Sequence, residues 1–235
     1  MNYLFQKVLV GAPVNQNKEY CRERYIETVK SLTYPYYDVY CCDNSADNQY
    51  HARNFVMCGI NCDWVNPHGK RNVQYVLESQ QAVVNKALTG NYDYLLFLEE
   101  DIVPPSNIIE QLISYNNPFV TARYFVRSGT DSQLLEMEIE DVMFTTYTNR
   151  MVWQTESFLD FGTDKKKFGM YGIGCALISR DVLQKIPLTV IEGENSHADT
   201  PLYFQLYESG IPVTVHQLIV QHNNSNWLNV KDYYA

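Results

Sequence analysis

Positive charge is scarce in this sequence: 18 Lys and Arg stand against 27 Asp and Glu, for a formal net charge of −9. That balance opposes loose electrostatic attachment to nucleic acid or to an anionic membrane surface. Only Lys70-Arg71 and Lys165-Lys166-Lys167 are locally basic. No apolar stretch approaches the roughly 18 residues needed to span a bilayer. The first ten residues lack a basic start and a small-residue cleavage site, so the expectation is a cytoplasmic protein. A disulfide framework is also missing. The six cysteines, Cys21, Cys41, Cys42, Cys58, Cys62 and Cys175, are scattered, and two are adjacent in an expected core strand. Cys58 and Cys62, with His51 and His68 around them, are spaced too loosely for a structural zinc motif. Asn223-Asn224-Ser225 matches a glycosylation sequon but has no secretory signal to give it meaning. No internal repeat or low-complexity linker divides the 235 residues, so one domain is expected.

A hydrophobic content of 46% and a charged content of 19% are ordinary for a folded soluble chain, and they exclude disorder as the default. The 19 tyrosines are unusual. Such rings stack well on sugars and bases, although most serve as half-buried packing residues.

The early pattern alternates strand and helix. Lys7 to Val10 reads as a strand ending at Gly11-Ala12-Pro13, and Cys21, Tyr25, Val29 and Leu32 then recur at helical spacing. Tyr37 to Cys42 is a second strand closed by the polar turn Asp43-Asn44-Ser45-Ala46-Asp47. His51 to His68 is ambiguous, with a short strand around Asp63-Trp64-Val65. Val73, Val76, Leu77, Val83, Val84, Ala87 and Leu88 make one apolar stripe, a helix from Asn72 to Leu88 ended by Gly90. Ser106 should cap a helix over Ile108 to Ser114, and Pro118 to Val126 should be another strand. Arg127 to Lys167 changes character and reads as an insertion, with β segments at Val142 to Tyr147 and Met151 to Gln154. A strand follows at Cys175 to Ser179 and a short helix at Asp181 to Ile186. Thr200-Pro201 should open a helix running to about Gly210, before a last strand from Pro212 to Val220 that ends at Gln221-His222.

The most informative stretch is Tyr94 to Pro105. Its five apolar residues suit a strand buried on both faces of a parallel sheet. Glu99, Glu100 and Asp101 follow at the carboxyl end, where open α/β sheets bind ligands, before Pro104-Pro105. Strand alternation sets Glu99 and Asp101 on one face and Glu100 on the other, so two carboxylates are available to a hard divalent cation. A solvated acidic turn has the same composition.

Taken in order, the Pro13 loop, Cys42-Asp43-Asn44-Ser45, Phe97-Leu98-Glu99-Glu100-Asp101, Gly172-Ile173-Gly174-Cys175-Ala176-Leu177-Ile178-Ser179-Arg180, Ala198-Asp199 and His222 resemble the GT-A glycosyltransferases, family-2-like members in particular, along nearly the whole chain. The resemblance implies an α/β three-layer sandwich with a Rossmann-like half and a mixed central sheet. Residues 1–105 would bind a nucleotide-sugar donor, and residues 106–235 would bind the acceptor beneath the 127–167 insertion. It implies an inverting transfer from a nucleotide diphosphate sugar, a UDP-sugar above all, to a hydroxyl of a glycan or small molecule, assisted by Mn²⁺ or Mg²⁺. By the same resemblance Asp101 and His222 are metal ligands, with Glu99 touching the metal, its water, the ribose or the sugar. Pro13, Asp43, Arg71, Glu99, Glu100, Gly172 and Gly174 would form the donor site, with Lys70 beside Arg71 near the diphosphate.

The family's acidic motif is usually Asp-x-Asp, and Glu99-Glu100-Asp101 departs from it. Asp199 matches the aspartate of the family's Glu-Asp motif and would be the base that removes the acceptor proton. Ala198 replaces the glutamate of that motif, which leaves Glu194 and His197 open as substitutes. Several bland readings compete. Asp43 is also a turn-capping residue, Asp199 a helix cap, Gly172 and Gly174 turn glycines, Lys70-Arg71 surface charge and His222 a hydrogen-bonded histidine. Tyr147, Trp153 and Phe158 are stacking candidates for the acceptor. A sugar-nucleotide nucleotidyltransferase would use similar acidic sites, but the loop after the first strand lacks the Gly-rich, basic pattern that class needs. A non-catalytic sugar-binding module is the third possibility.

Overall fold

Leu95 and Phe97 point to one face of their strand and Leu96 and Leu98 to the other, and all four are at most 1% exposed. A strand buried on both faces must lie inside a sheet covered by helices on each side. The structure, a computed structural model, describes residues 6–46, 49–128, 131–134, 136–140, 152–153, 167–190 and 198–223. Its first half alternates strictly: β1 (Val8–Val14), α1 (Arg22–Lys30), β2 (Tyr37–Asp43), α2 (Tyr50–Met57), β3 (Asn61–Trp64), α3 (Asn72–Thr89) and β4 (Tyr94–Leu98). Next come β5 (Ile102–Val103), α4 (Ile108–Ser114), β6 (Phe119–Arg123), β7 (Phe125–Ser128), β8 (Asp131–Leu134), β9 (Glu136–Glu140), β10 (Val152–Trp153) and β11 (Lys167–Tyr171). The chain continues with β12 (Cys175–Ser179), α5 (Arg180–Lys185), α6 (Asp199–Glu208), β13 (Val213–Ile219) and β14 (Gln221–His222).

The seven-stranded sheet has the order β13-β6-β12-β4-β1-β2-β3. Strands β3, β2, β1 and β4 run parallel, β12 runs against both of its neighbours, and β6 and β13 are parallel to each other. The sheet is therefore mixed, as the sequence leads one to expect. From β1 the chain moves outward through β2 and β3, then returns to place β4 on the other side of β1. Such a reversal opens a crevice at the carboxyl ends of β1 and β4, the position where α/β sheets take ligands.

Two apolar layers flank the sheet. Val8, Val10, Leu96, Leu98, Val120 and Leu177 pack against Tyr25 and Val29 of α1, Phe55 of α2 and Ile108 and Leu112 of α4. Leu9, Leu95, Phe97, Phe119 and Ile178 pack against Val83 and Ala87 of α3, Val182 of α5 and Leu202 and Leu206 of α6. Each such buried side chain contributes about 1.5–3 kcal/mol. Gly11 lets α3 approach β1, because a β-carbon there would run into Val83.

Several local expectations shift. The ambiguous stretch contains α2, whose buried residues His51, Ala52 and Phe55 share one face. The cap of α4 is Asn107 instead of Ser106, with no side-chain hydrogen bond. Helix α6 begins at Asp199 and not at Pro201, so Asp199 is its first helical residue. In the insertion, β7 and β8 form a hairpin, and β10, β9 and β11 form a three-stranded sheet. The expected strand at Val142 to Tyr147 lies outside the described residues, as do Tyr147 and Phe158. Trp153 is described only as backbone of β10. Among the described residues no helix is long and apolar enough to cross a membrane.

Candidate active site

The acidic triplet forms a tight turn at the crevice. The Glu99 N–H donates to Gly174 O at 2.8 Å and the Ile102 N–H donates back to Glu99 O at 3.0 Å. Immediately afterwards β5 pairs antiparallel with β14, which sets Ile102 opposite His222. The Asn223 N–H completes the clamp by donating to Asp101 O at 2.5 Å.

Asp101 is at the centre of the cluster and is 4% exposed. Its Oδ2 stands 3.2 Å from His222 Nε2, and its Oδ1 accepts from Lys18 Nζ at 3.0 Å. Lys18 Nζ also lies 3.5 Å from Glu99 Oε2. Burial alone would raise the Asp101 carboxyl, but His222 and the Lys18 ammonium outweigh it and hold the group at about 2. Lys18 is correspondingly held above the ordinary lysine range: burial works to lower it, and Glu99 and Asp101 prevail. It sits on a 3-10 turn, Gln16–Cys21, directly after β1.

Glu100 turns away from Asp101 toward His51 and is 1% exposed. On that side of the sheet lies α2, and His51 Nε2 comes within 3.3 Å of Glu100 Oε1 while its Nδ1 stands 3.1 Å from Glu19. Glu100 Oε2 accepts the Asn15 N–H at 3.2 Å, tying the turn after β4 to the loop after β1. Burial pushes the Glu100 carboxyl up despite His51. For His51, burial would lower the imidazole, but Glu100 and the nearby Asp43 and Glu19 hold it above its usual value. Glu100 thus braces the loops beneath the crevice and does not point into it.

Tyr124 connects the remaining pieces. Its phenol accepts the Gly174 N–H at 3.2 Å, and its ring meets His222 edge-on with centroids 5.4 Å apart. Burial raises the phenol well above its ordinary value, and the charges of Glu99, Asp199 and Asp101 push it further. Carboxylates from two distant parts of the chain, Glu99 with Asp101 and Asp199, therefore act on one phenol. Gly174 has no room for a side chain, because a β-carbon would lie 2.8 Å from Tyr124 Oη and 3.3 Å from Glu99 Cδ. Gly172 is buried, and its carbonyl accepts from Thr121 Oγ1 at 3.0 Å. Asp199 is half-buried at the start of α6, where its Oδ1 takes the Thr200 N–H at 3.1 Å. Glu194 and His197 lie outside the described residues.

Asp43 ends β2 fully buried. Its Oδ1 accepts the Ser45 N–H at 2.9 Å and the Ser45 hydroxyl, and its Oδ2 accepts the Ala52 N–H at 3.0 Å. These bonds build the turn and hold the first turn of α2. Pro13 is half-buried opposite Cys42. Arg71 is exposed at the start of α3, where its N–H donates to Gln74 Oε1 at 2.9 Å. Lys70 is paired with Glu78.

The donor chemistry suits a hard or borderline divalent ion. Asp101 Oδ2 and His222 Nε2 are 3.2 Å apart, close to the roughly 3 Å between adjacent ligands of an octahedral ion bound at about 2.1 Å. Glu99 is linked to this pair through Lys18. Among the described residues no three His, Cys, Asp or Glu side chains converge as a metal site. Of the loosely spaced His51, Cys58, Cys62 and His68, His51 is buried against carboxylates, whereas Cys58 is exposed.

Lys18 and Tyr124 carry much of this geometry and were not singled out by sequence reasoning, which weighed His51 only as a zinc-type residue. For Lys18 a signal existed, a lone basic residue five positions after Pro13 in a polar loop at a strand's carboxyl end. Nothing in the pattern around Tyr124 separates it from the other tyrosines.

Neither a protein-family model nor a curated protein matches the chain. Solved structures do. S. aureus TarS 1–349 superposes with a TM-score of 0.56 at 11% identity, covering 93% of this chain and 60% of that one. Mannosyltransferase PcManGT from Pyrobaculum calidifontis, solved with GDP-Man and Mn²⁺, gives 0.54 at 12% identity, over 94% and 58% of the two chains. Glucosyl-3-phosphoglycerate synthase from Mycobacterium tuberculosis, solved with Mn²⁺, UDP and glucosyl-3-phosphoglycerate, gives 0.54 at 13% identity, over 94% and 73%. The fold is the GT-A arrangement, a mixed seven-stranded sheet between helical layers. The chain spans 60% of the TarS fragment it matches.

Proposed function

We propose that this protein is a nucleotide-sugar-dependent glycosyltransferase that works with Mn²⁺ or Mg²⁺ and inverts the anomeric centre. One observation carries the reading: Asp101 and His222 stand 3.2 Å apart at the carboxyl end of β4, in the crevice of a GT-A sheet. Four of the similar structures contain UDP, UDP-GlcNAc or GDP-Man, two of them with Mn²⁺, which supports a nucleotide diphosphate sugar as donor.

Asp101 and His222 would hold the ion, which neutralises charge building on the departing diphosphate. The buried turn around Asp43 shapes the base end of the crevice, and Pro13 lines the approach from β1. Arg71, at the start of α3, offers a cation to phosphate. The Gly172–Gly174 backbone runs beside Glu99, where the sugar of the donor, a UDP-sugar in this reading, would rest. Asp199 takes the proton from the acceptor hydroxyl as its oxygen attacks. Its place in the first turn of α6 favours the ionised carboxylate a base needs. The acceptor, a glycan or small-molecule alcohol, would enter beneath β7 to β11.

Thermal unfolding with UDP, GDP and their sugars, with and without Mn²⁺, tests the reading. Ligand at a hundredfold excess over its Kd stabilises by about 2.7 kcal/mol, or roughly 5–10 °C for a chain of this size. Asp101→Asn should abolish the metal-dependent part of that shift while keeping the unliganded transition. No metal-dependent shift with any nucleotide would sink the proposal.

A further inference from the structure

Lys18 sets its ammonium beside the position a divalent ion would take. Its Nζ bridges Asp101 Oδ1 and Glu99 Oε2, while His222 faces the other oxygen of Asp101. The backbone carrying Lys18 is anchored just upstream. The Asn15 N–H is held by Glu100, the Asn15 side chain by Asn44 and the Gln16 N–H by Ser45 Oγ at 2.7 Å. The ammonium can leave the carboxylates only by rotating its own side chain. A divalent ion between Asp101 and His222 would stand beside this charge and be repelled by it, in a site where little water screens the pair. A diphosphate changes the balance, since its oxygens offer Lys18 a replacement partner within reach.

We infer that Lys18 is an internal counter-ion that keeps divalent metal out of the empty crevice and moves onto the donor diphosphate when it binds, so that metal and donor enter together. This rests on the nucleotide-diphosphate reading for its second half, while its first half concerns metal alone. Lys18 then has two roles in sequence, guarding the carboxylates and binding phosphate.

The test is Mn²⁺ titration, read by electron paramagnetic resonance and calorimetry, on the wild type and on Lys18→Met, Lys18→Gln and Lys18→Arg, with and without UDP or GDP. Without nucleotide, Lys18→Met should bind Mn²⁺ at least tenfold more tightly than wild type, and Lys18→Arg should not. Lys18→Gln carries the same expectation if the methionine variant does not fold. With Mn²⁺ saturating, the neutral variants should bind the nucleotide at least tenfold more weakly. Unchanged Mn²⁺ affinity in a folded neutral variant overturns the inference even if nucleotide binds normally. If wild type binds no nucleotide diphosphate, the proposed function fails and phosphate transfer with it, and the metal-only titration still decides whether Lys18 excludes the ion.

Discussion

Asp101 Oδ2 and His222 Nε2 lie 3.2 Å apart although 121 positions separate them in the chain. The contact is imposed by backbone pairing, because β5 and β14 place Ile102 opposite His222. Chemistry at this crevice therefore depends on residues far from the acidic triplet, and the same holds for the expected base.

Asp199→Asn separates the two roles open to that residue. In the structure the carboxylate accepts its neighbour's N–H at 3.1 Å, and an amide oxygen does this equally well. Stability and donor affinity should stay near wild type, while sugar transfer falls a hundredfold or more, the usual loss of a general base. Transfer at the wild-type rate would remove Asp199 from the mechanism and direct attention to Glu194 and His197.

The pair His51 and Glu100, each 1% exposed, should behave as a unit. His51→Leu leaves a buried carboxylate without its cation and should cost about 3–5 kcal/mol in denaturant unfolding. Adding Glu100→Gln removes the charge yet keeps an acceptor for the Asn15 N–H, and should restore most of the loss. The pH dependence has a defined sign. Because the folded imidazole is held above 6.5, its contribution is complete below that pH and fades as pH rises through the folded value. A His51→Leu profile that still showed this decline would assign it elsewhere.

Gly174→Ala tests the packing around Tyr124. The added methyl would meet Tyr124 Oη at 2.8 Å and Glu99 Cδ at 3.3 Å, so a loss of about 1–3 kcal/mol is expected, typical of overpacking. Tyr124→Phe in the same chain removes the closest atom and should recover part of it. Strictly additive losses in the double-mutant cycle would mean the two residues do not touch.

Elements buried by continuous apolar runs were legible from sequence. Strands β4 and β12 have the limits Tyr94–Leu98 and Cys175–Ser179 that the pattern predicts. Helix α2 was not, because eight residues hold little periodicity and its apolar face includes His51, a residue whose buried partner is Glu100 from the turn after β4. The separation of Glu99 from Glu100 was expected from strand parity, although both lie in the turn just past β4. What each carboxylate would meet was not, since Lys18, Tyr124 and His222 reach the turn through tertiary contacts that leave no mark in local spacing.

The two-residue ladder between β5 and β14 also orders the assembly of the crevice in time. Every strand of the main sheet precedes Gln221, so a chain released at that point during synthesis would hold the complete sheet and the acidic turn. It would still lack the histidine that faces Asp101. In the proposed reading, competence to bind metal is thereby withheld from the growing polypeptide until the sheet that supports it has been made.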